Sequence, residues 1–132
     1  MPSQFSINTR SSTEMVNITS QVQNEVGRAE IKNGICTVFV PHTTAGITIN
    51  EGADPYVADD MIMEINKIVP IQDGYKHAEG NSAAHLKTIF FGSSVQIPVD
   101  NGRLSLGTWQ AIFLCEFDGP RNRRVVVQVL GK

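Results

Sequence analysis

The chain predicts an α+β domain of mostly antiparallel β-sheets, a compact two-layer or sandwich-like fold with about three helices. Three observations carry this. Short apolar or alternating runs recur from one end of the chain to the other. Three stretches of helical periodicity are interspersed among them. Most of the runs are separated by turn residues, so neighbouring strands return on each other rather than crossing over.

Taken in order, Phe5, Ile7 and Thr9 alternate with polar residues and predict a first strand, and residues 15–18 a second. Ser20 with Gln23 reads as a capping box. Val22, Val26 and Ala29 then recur with helical spacing and predict an inward stripe. Gly34 breaks that helix. Residues 35–40 are nearly all apolar and predict a well-buried strand, ended by Pro41. After the polar break 42–46 a strand resumes at Ile47. Asp54-Pro55 is a helix start, with Asp as N-cap and Pro in the first turn; Val57, Met61, Ile65 and Ile68 form its expected buried stripe. A loop from Pro70 leads to a third helix that opens at Asn81 or Ser82 and ends at Gly92, with Leu86, Ile89 and Phe90 as its apolar residues. Val95, Ile97 and Val99 alternate up to Asn101-Gly102, a two-residue hairpin signal, with Leu104 and Leu106 beyond it. Residues 109–117 are apolar on both faces, which predicts a strand covered on both sides, by a second layer or a partner subunit. Asp118-Gly119-Pro120 turns the chain into a last strand over 124–130.

The 132 residues make one domain, large enough for a real core. Eleven basic against thirteen acidic residues, and no basic patch with interleaved aromatics, argue against a nucleic-acid coat. Cys36 and Cys115 lie far apart in apolar runs and read as buried free thiols. No apolar run reaches membrane-span length and no leader pattern opens the chain. A soluble cytoplasmic protein is expected.

Chemistry concentrates between His77 and Ser94. Histidine is scarce, with three in the chain. His42 opens the break after a buried strand, His77 precedes a glycine turn, and His85 lies in the first turn of a helix. Three imidazoles suffice for a catalytic-type metal site with an open position; the plainer reading is hydrogen-bonded loop histidines. Such ligands favour zinc or another transition metal over Mg²⁺. Glu79, close to His77, is the candidate partner or general base, followed by Glu51. Glu116 sits inside an apolar strand and needs a partner, either as an ion pair with Arg121, Arg123 or Arg124 or as a site residue. Gly80, Asn81 and Ser82 at a helix start, with Arg121, are the candidate anion-binding groups for a phosphorylated small molecule.

Three segments, P-H-T-T-A-G-I-T-I-N-E from Pro41, H-x-E-G-N-S-A-A-H from His77 and G-T-W-Q-A-I-F-L-C-E-F-D-G-P-R from Gly107, together resemble the YjbQ family over essentially the whole chain. The resemblance implies a β-rich α+β domain that forms homotrimers. It also implies a pocket near a subunit boundary, with a metal on His42, His77 and His85 and with Thr43, Glu79, Asn81 and Glu116 nearby. The activity it implies is that of a thiamine-phosphate synthase-like transferase, with Thr43 grouped with Glu79 and Glu51 as catalytic candidates. Two other functions are carried beside it: a non-catalytic metal- or metabolite-binding homotrimer, favoured by the lack of an obvious activated nucleophile, and a metal-dependent hydrolase of a small phosphorylated substrate.

Overall fold

A computed structural model describes residues 2–132. Alternation of Phe5 and Ile7 with polar neighbours gives β1 (Ser3–Asn8), followed by β2 (Glu14–Asn17). Helix α1 (Thr19–Ala29) buries Val22 and Val26, as its periodicity predicts, while Ala29 is exposed. Its start differs from the capping-box reading. Asn17 Oδ1 accepts from the Thr19 N–H at 3.1 Å and from the Thr19 hydroxyl at 2.7 Å, so an Asx-type cap forms ahead of Ser20. Gln23 is thereby freed. It donates to the Gly102 carbonyl and accepts from the Leu104 N–H, tying α1 to a hairpin far along the chain.

Gly34, expected only as a breaker, opens β3 (Gly34–Phe39). Then come β4 (Ala45–Glu51), α2 (Pro55–Ile68), α3 (Ser82–Phe91), β5 (Ser94–Asp100), β6 (Arg103–Leu104), β7 (Gln110–Glu116) and β8 (Asn122–Gly131). Asp54 caps α2 as predicted, accepting from the Tyr56 N–H at 2.9 Å with Pro55 in the first turn. Between β5 and β6, Asn101 and Gly102 both take positive φ, 52° and 79°, the geometry their pair announces.

One sheet has the order β1-β8-β3-β5-β6 and the other β2-β7-β4, and every pairing is antiparallel. The larger core draws Val22 and Val26 from α1, Val38, Ile97, Val125 and Val127 from the first sheet, and Ile47, Ile112 and Leu114 from the second. A smaller core lies on the other face of β7, where Ala111, Phe113, Cys115 and Phe117 meet Ala84 of α3. Strand β7 is therefore covered on both sides, which explains its unbroken apolar sequence.

Two helices depart from their sequence patterns. On α2 only Ile65 is buried, and Ile68, expected in the inward stripe, is 58% exposed. On α3 the face is reversed. Ala83, Ala84, Lys87 and Thr88 point inward, and Leu86, Ile89 and Phe90 point out. The small residues let α3 lie close on the second sheet, nearest β4 at Gly46, and Thr88 satisfies its hydroxyl within the helix on the Ala84 carbonyl. Lys87 reaches Asn66 Oδ1 on α2. Among the described residues no helix is long and apolar enough to cross a membrane.

Candidate functional site

Two of the chain's passages between its sheets meet at one end of the molecule. Residues 40–44 carry the chain from β3 to β4, and residues 117–121 from β7 to β8. The loop before α3 closes over these crossings. Together they line a cleft of about 670 Å³, with His42, His77, His85, Glu79, Arg121 and Arg123 among its walls. Thr43, Asn81 and Asp118 also face it. That volume lies in the range of small-molecule sites, roughly 300–1,000 Å³.

Three distant sequence segments thus converge, as their chemistry suggested. Of the predicted residues, His42, His77, His85, Glu79, Thr43, Asn81 and Arg121 line the cleft. Gly80 and Ser82 sit at the margins, each facing a neighbouring depression. Glu51 stands elsewhere: its Oε2 accepts from the Ala53 and Asp54 N–H groups at 3.0 and 3.1 Å and shapes the turn into α2. Glu116 is fully buried behind the cleft wall, paired with Arg123.

Arg123, one of the three arginines offered as the Glu116 partner, is the one that pairs with it, and it also lines the cleft, a place the motifs did not give it. Strand parity holds the signal: Arg123 alternates with Val125, Val127 and Val129, all buried, so its side chain must enter the core. Its Nε donates to Glu116 Oε1 at 2.7 Å, and its NH2 donates to Glu116 Oε2 and to Thr44 Oγ1 at 2.9 Å. Thr9 Oγ1 donates to Glu116 Oε1 at 2.8 Å, and the Asp118 N–H donates to Oε2 at 2.9 Å. Burial works to raise the Glu116 pKa, but the Arg123, Asp118 and Thr9 hydrogen bonds prevail and hold the carboxyl below its ordinary value. This network leaves no space beside Gly119, where a Cβ would stand 2.7 Å from Glu116 Cγ and 2.4 Å from the Ser11 carbonyl oxygen.

Asp118 forms a second knot. Its Oδ2 accepts from Asn81 Nδ2 at 2.9 Å and from Arg121 NH2 at 3.0 Å, joining the loop before α3 to the β7–β8 crossing. Burial pushes its pKa up; those two bonds and the arginine charges bring it below its ordinary value. Asn81 therefore stands at the N-cap position of α3 without capping it, and its Oδ1 is the one buried side-chain polar atom without a partner among the described residues.

His42 is held by a backbone donor. The Arg124 N–H gives its proton to His42 Nε2 at 2.9 Å. Burial, then the charges of Arg123 and Arg124, lower the His42 pKa against an opposing pull from Glu116. With Nε2 accepting, a neutral ring carries its own proton on Nδ1. His77 and His85 lie against each other with ring centres 5.5 Å apart at an interplanar angle of 88°.

These geometries bear on a metal. Two imidazoles sharing a tetrahedral ion at about 2.1 Å have ring centres roughly 5 Å apart, so His77 and His85 are spaced as co-ligands would be. His42 is engaged at Nε2 and protonated at Nδ1, and ligation would require it to release one of them. Among the described residues no three His, Cys, Asp or Glu side chains stand close enough together to hold an ion. His77 and His85 stand at a separation that two co-ligands would have, and no third such side chain completes the set among the described residues.

Fold and cleft define an α+β protein of two antiparallel sheets whose crossings enclose a histidine- and arginine-lined cavity. The profile of the UPF0047 protein YjbQ-like family matches residues 3–132, and the chain belongs to this family. It is 45% identical over 126 residues to the UPF0047 protein YugU of Bacillus subtilis, covering 95% of this chain and 96% of that one. It is 44% identical over 127 residues to a UPF0047 protein of Methanocaldococcus jannaschii, covering 96% and 92%. Among solved structures, a YjbQ/UPF0047 protein of Clostridium acetobutylicum superposes with a TM-score of 0.94 at 47% identity, over 96% of this chain and 98% of that one. A protein of unknown function from Sulfolobus solfataricus, described as YbjQ-like, superposes with a TM-score of 0.95 at 38% identity, over 100% and 97%. The expected α+β fold and family are thereby shown.

Proposed function

We propose that the cleft binds a small phosphorylated metabolite and acts on it by acid–base and electrostatic means. One observation carries this reading: a single metabolite-sized cavity gathers His42, His77 and His85 with Arg121, Arg123 and Glu79. Arginine donors suit phosphate oxygens. Imidazoles and a carboxylate supply proton-transfer groups. Covalent catalysis by cysteine is disfavoured, since burial pushes the Cys36 pKa up to about 11 and that of Cys115 higher still.

Within this class the finer reading is a thiamine-phosphate synthase-like transferase. A hydroxymethylpyrimidine pyrophosphate loses pyrophosphate, and the ring nitrogen of a thiazole phosphate forms the new C–N bond. The arginines would orient the departing pyrophosphate, and the cleft would shield the electron-poor carbon. A divalent transition metal on His77 and His85 would supply Lewis-acid charge at the phosphates, and the spacing of that pair also keeps the metal-dependent hydrolase reading open. The test is steady-state product formation with Mg²⁺ or Zn²⁺, on wild type and His85→Ala. Product that falls about 10²-fold in the variant supports the site. Product unchanged in the variant contradicts it. Ligand binding with no product under either metal favours the non-catalytic alternative.

The homotrimer proposal is supported by the reversed face of α3. Ile89 and Phe90 are 76% and 66% exposed, and Trp109 is 66% exposed. Bulky apolar side chains this open are what a subunit interface covers.

A further inference from the structure

Strand β8 enters the site through two adjacent residues. Arg124 gives its backbone N–H to His42 Nε2. Arg123 sends its guanidinium inward to Glu116 and Thr44. Each contact leaves one donor over. A neutral imidazole that accepts at Nε2 presents N–H at Nδ1. On Arg123, Nε and NH2 are taken, and NH1 has no acceptor among the described residues. NH1 is not a buried orphan either, because Asn81 Oδ1 alone has that status. Arg123 is only 3% exposed and lines the cleft.

We propose that His42 Nδ1–H and Arg123 NH1 form an oxyanion seat on the inner wall of the cleft, taking an oxygen of a phosphate or carboxylate group. The seat rests on the reading of the cleft as the ligand site, and it gives His42 the role of hydrogen-bond donor in place of metal ligand. Both donors are pre-organised. Arg123 is fixed by a carboxylate and a threonine, and His42 by the backbone of the residue beside Arg123, so neither reorients when a ligand arrives. Glu116 neutralises the guanidinium when the seat is empty, which lets a cation stay buried there. The same pairing removes net charge, so the seat recognises an anion by directed hydrogen bonds more than by bulk attraction. Arg121, whose side chain is 53% exposed and shared with Asp118, is the weaker candidate for this contact.

The test uses the full chain labelled with ¹⁵N-histidine, read by long-range ¹H–¹⁵N correlation during titration with inorganic phosphate and, separately, acetate. The expected result is a His42 ring in the Nδ1–H form whose signals shift saturably. The anion that saturates at the lower concentration identifies the headgroup. His42→Phe and Arg123→Lys are each expected to weaken binding about tenfold or more. If Arg123→Lys does not fold, His42→Phe and the tautomer decide alone. Shifts at His77 and His85 without any at His42, together with wild-type binding by His42→Phe, would overturn the seat and leave the cleft reading standing. If neither anion perturbs any of the three histidines, the cleft reading falls as well.

Discussion

Glu116 and Arg123 form an ion pair with side chains 0% and 4% exposed, joined through both arginine donors that face the carboxylate. Removing one member of such a pair strands the other charge. Glu116→Gln is expected to destabilise the fold by about 3–5 kcal/mol in urea unfolding. Replacing both, as Glu116→Met with Arg123→Leu, is expected to recover much of that loss while abolishing anion binding. A double variant as unstable as the single one would contradict the view that the loss comes from a stranded buried charge.

Acid is expected to destabilise the protein in two stages. The His42 pKa in the fold lies below its ordinary 6.5, so the unfolded chain takes up that proton first. Its stabilising contribution is present above about pH 6.5 and is lost as pH falls from there through the folded value. Glu116 is likewise held below its ordinary 4.5, and its contribution is lost at lower pH still. Melting temperature followed from about pH 8 to about pH 4 should therefore fall in a first stage that His42→Phe reduces. An unchanged first stage in that variant would contradict a His42 pKa lowered by burial and by the Arg123 and Arg124 charges.

Zinc binding should distinguish the histidines. Wild type and His42→Ala are expected to take up zinc comparably. His77→Ala and His85→Ala are expected to lose it, since those two rings have co-ligand spacing. Metal content after dialysis against zinc gives the answer. Loss in all three variants would restore a three-histidine centre.

Helix α3 should hold subunits together by its outer face. Ile89→Asp and Phe90→Asp are expected to convert the assembly to monomer, measured by light scattering, with helix content retained. A mass unaffected by both changes would place the interface elsewhere.

Much of the fold was legible because its signals are local. Asp54-Pro55 caps a helix, Asn101-Gly102 makes a tight turn, and the two-sided apolar run of β7 is buried on both faces. The orientation of α3 was not legible. Apolar periodicity says that Leu86, Ile89 and Phe90 form a face but not what covers it, and the small Ala83 and Ala84 packed inward instead. The cap of α1 fell to Asn17, since a residue just outside a helix satisfies the same N–H groups as one at its start. The histidine cleft was visible as composition, but its inner wall was not. Arg123 becomes a site residue only when two sheet crossings meet, a long-range property that no short motif records.

The most direct measurement is a thermal-shift series of phosphorylated metabolites, each paired with its dephosphorylated counterpart. At least one phosphorylated compound is expected to raise the melting temperature, with the shift lost when the phosphate is removed and reduced in Arg123→Lys. Equal shifts from both members of every pair, or none from any, would contradict a phosphate-binding cleft.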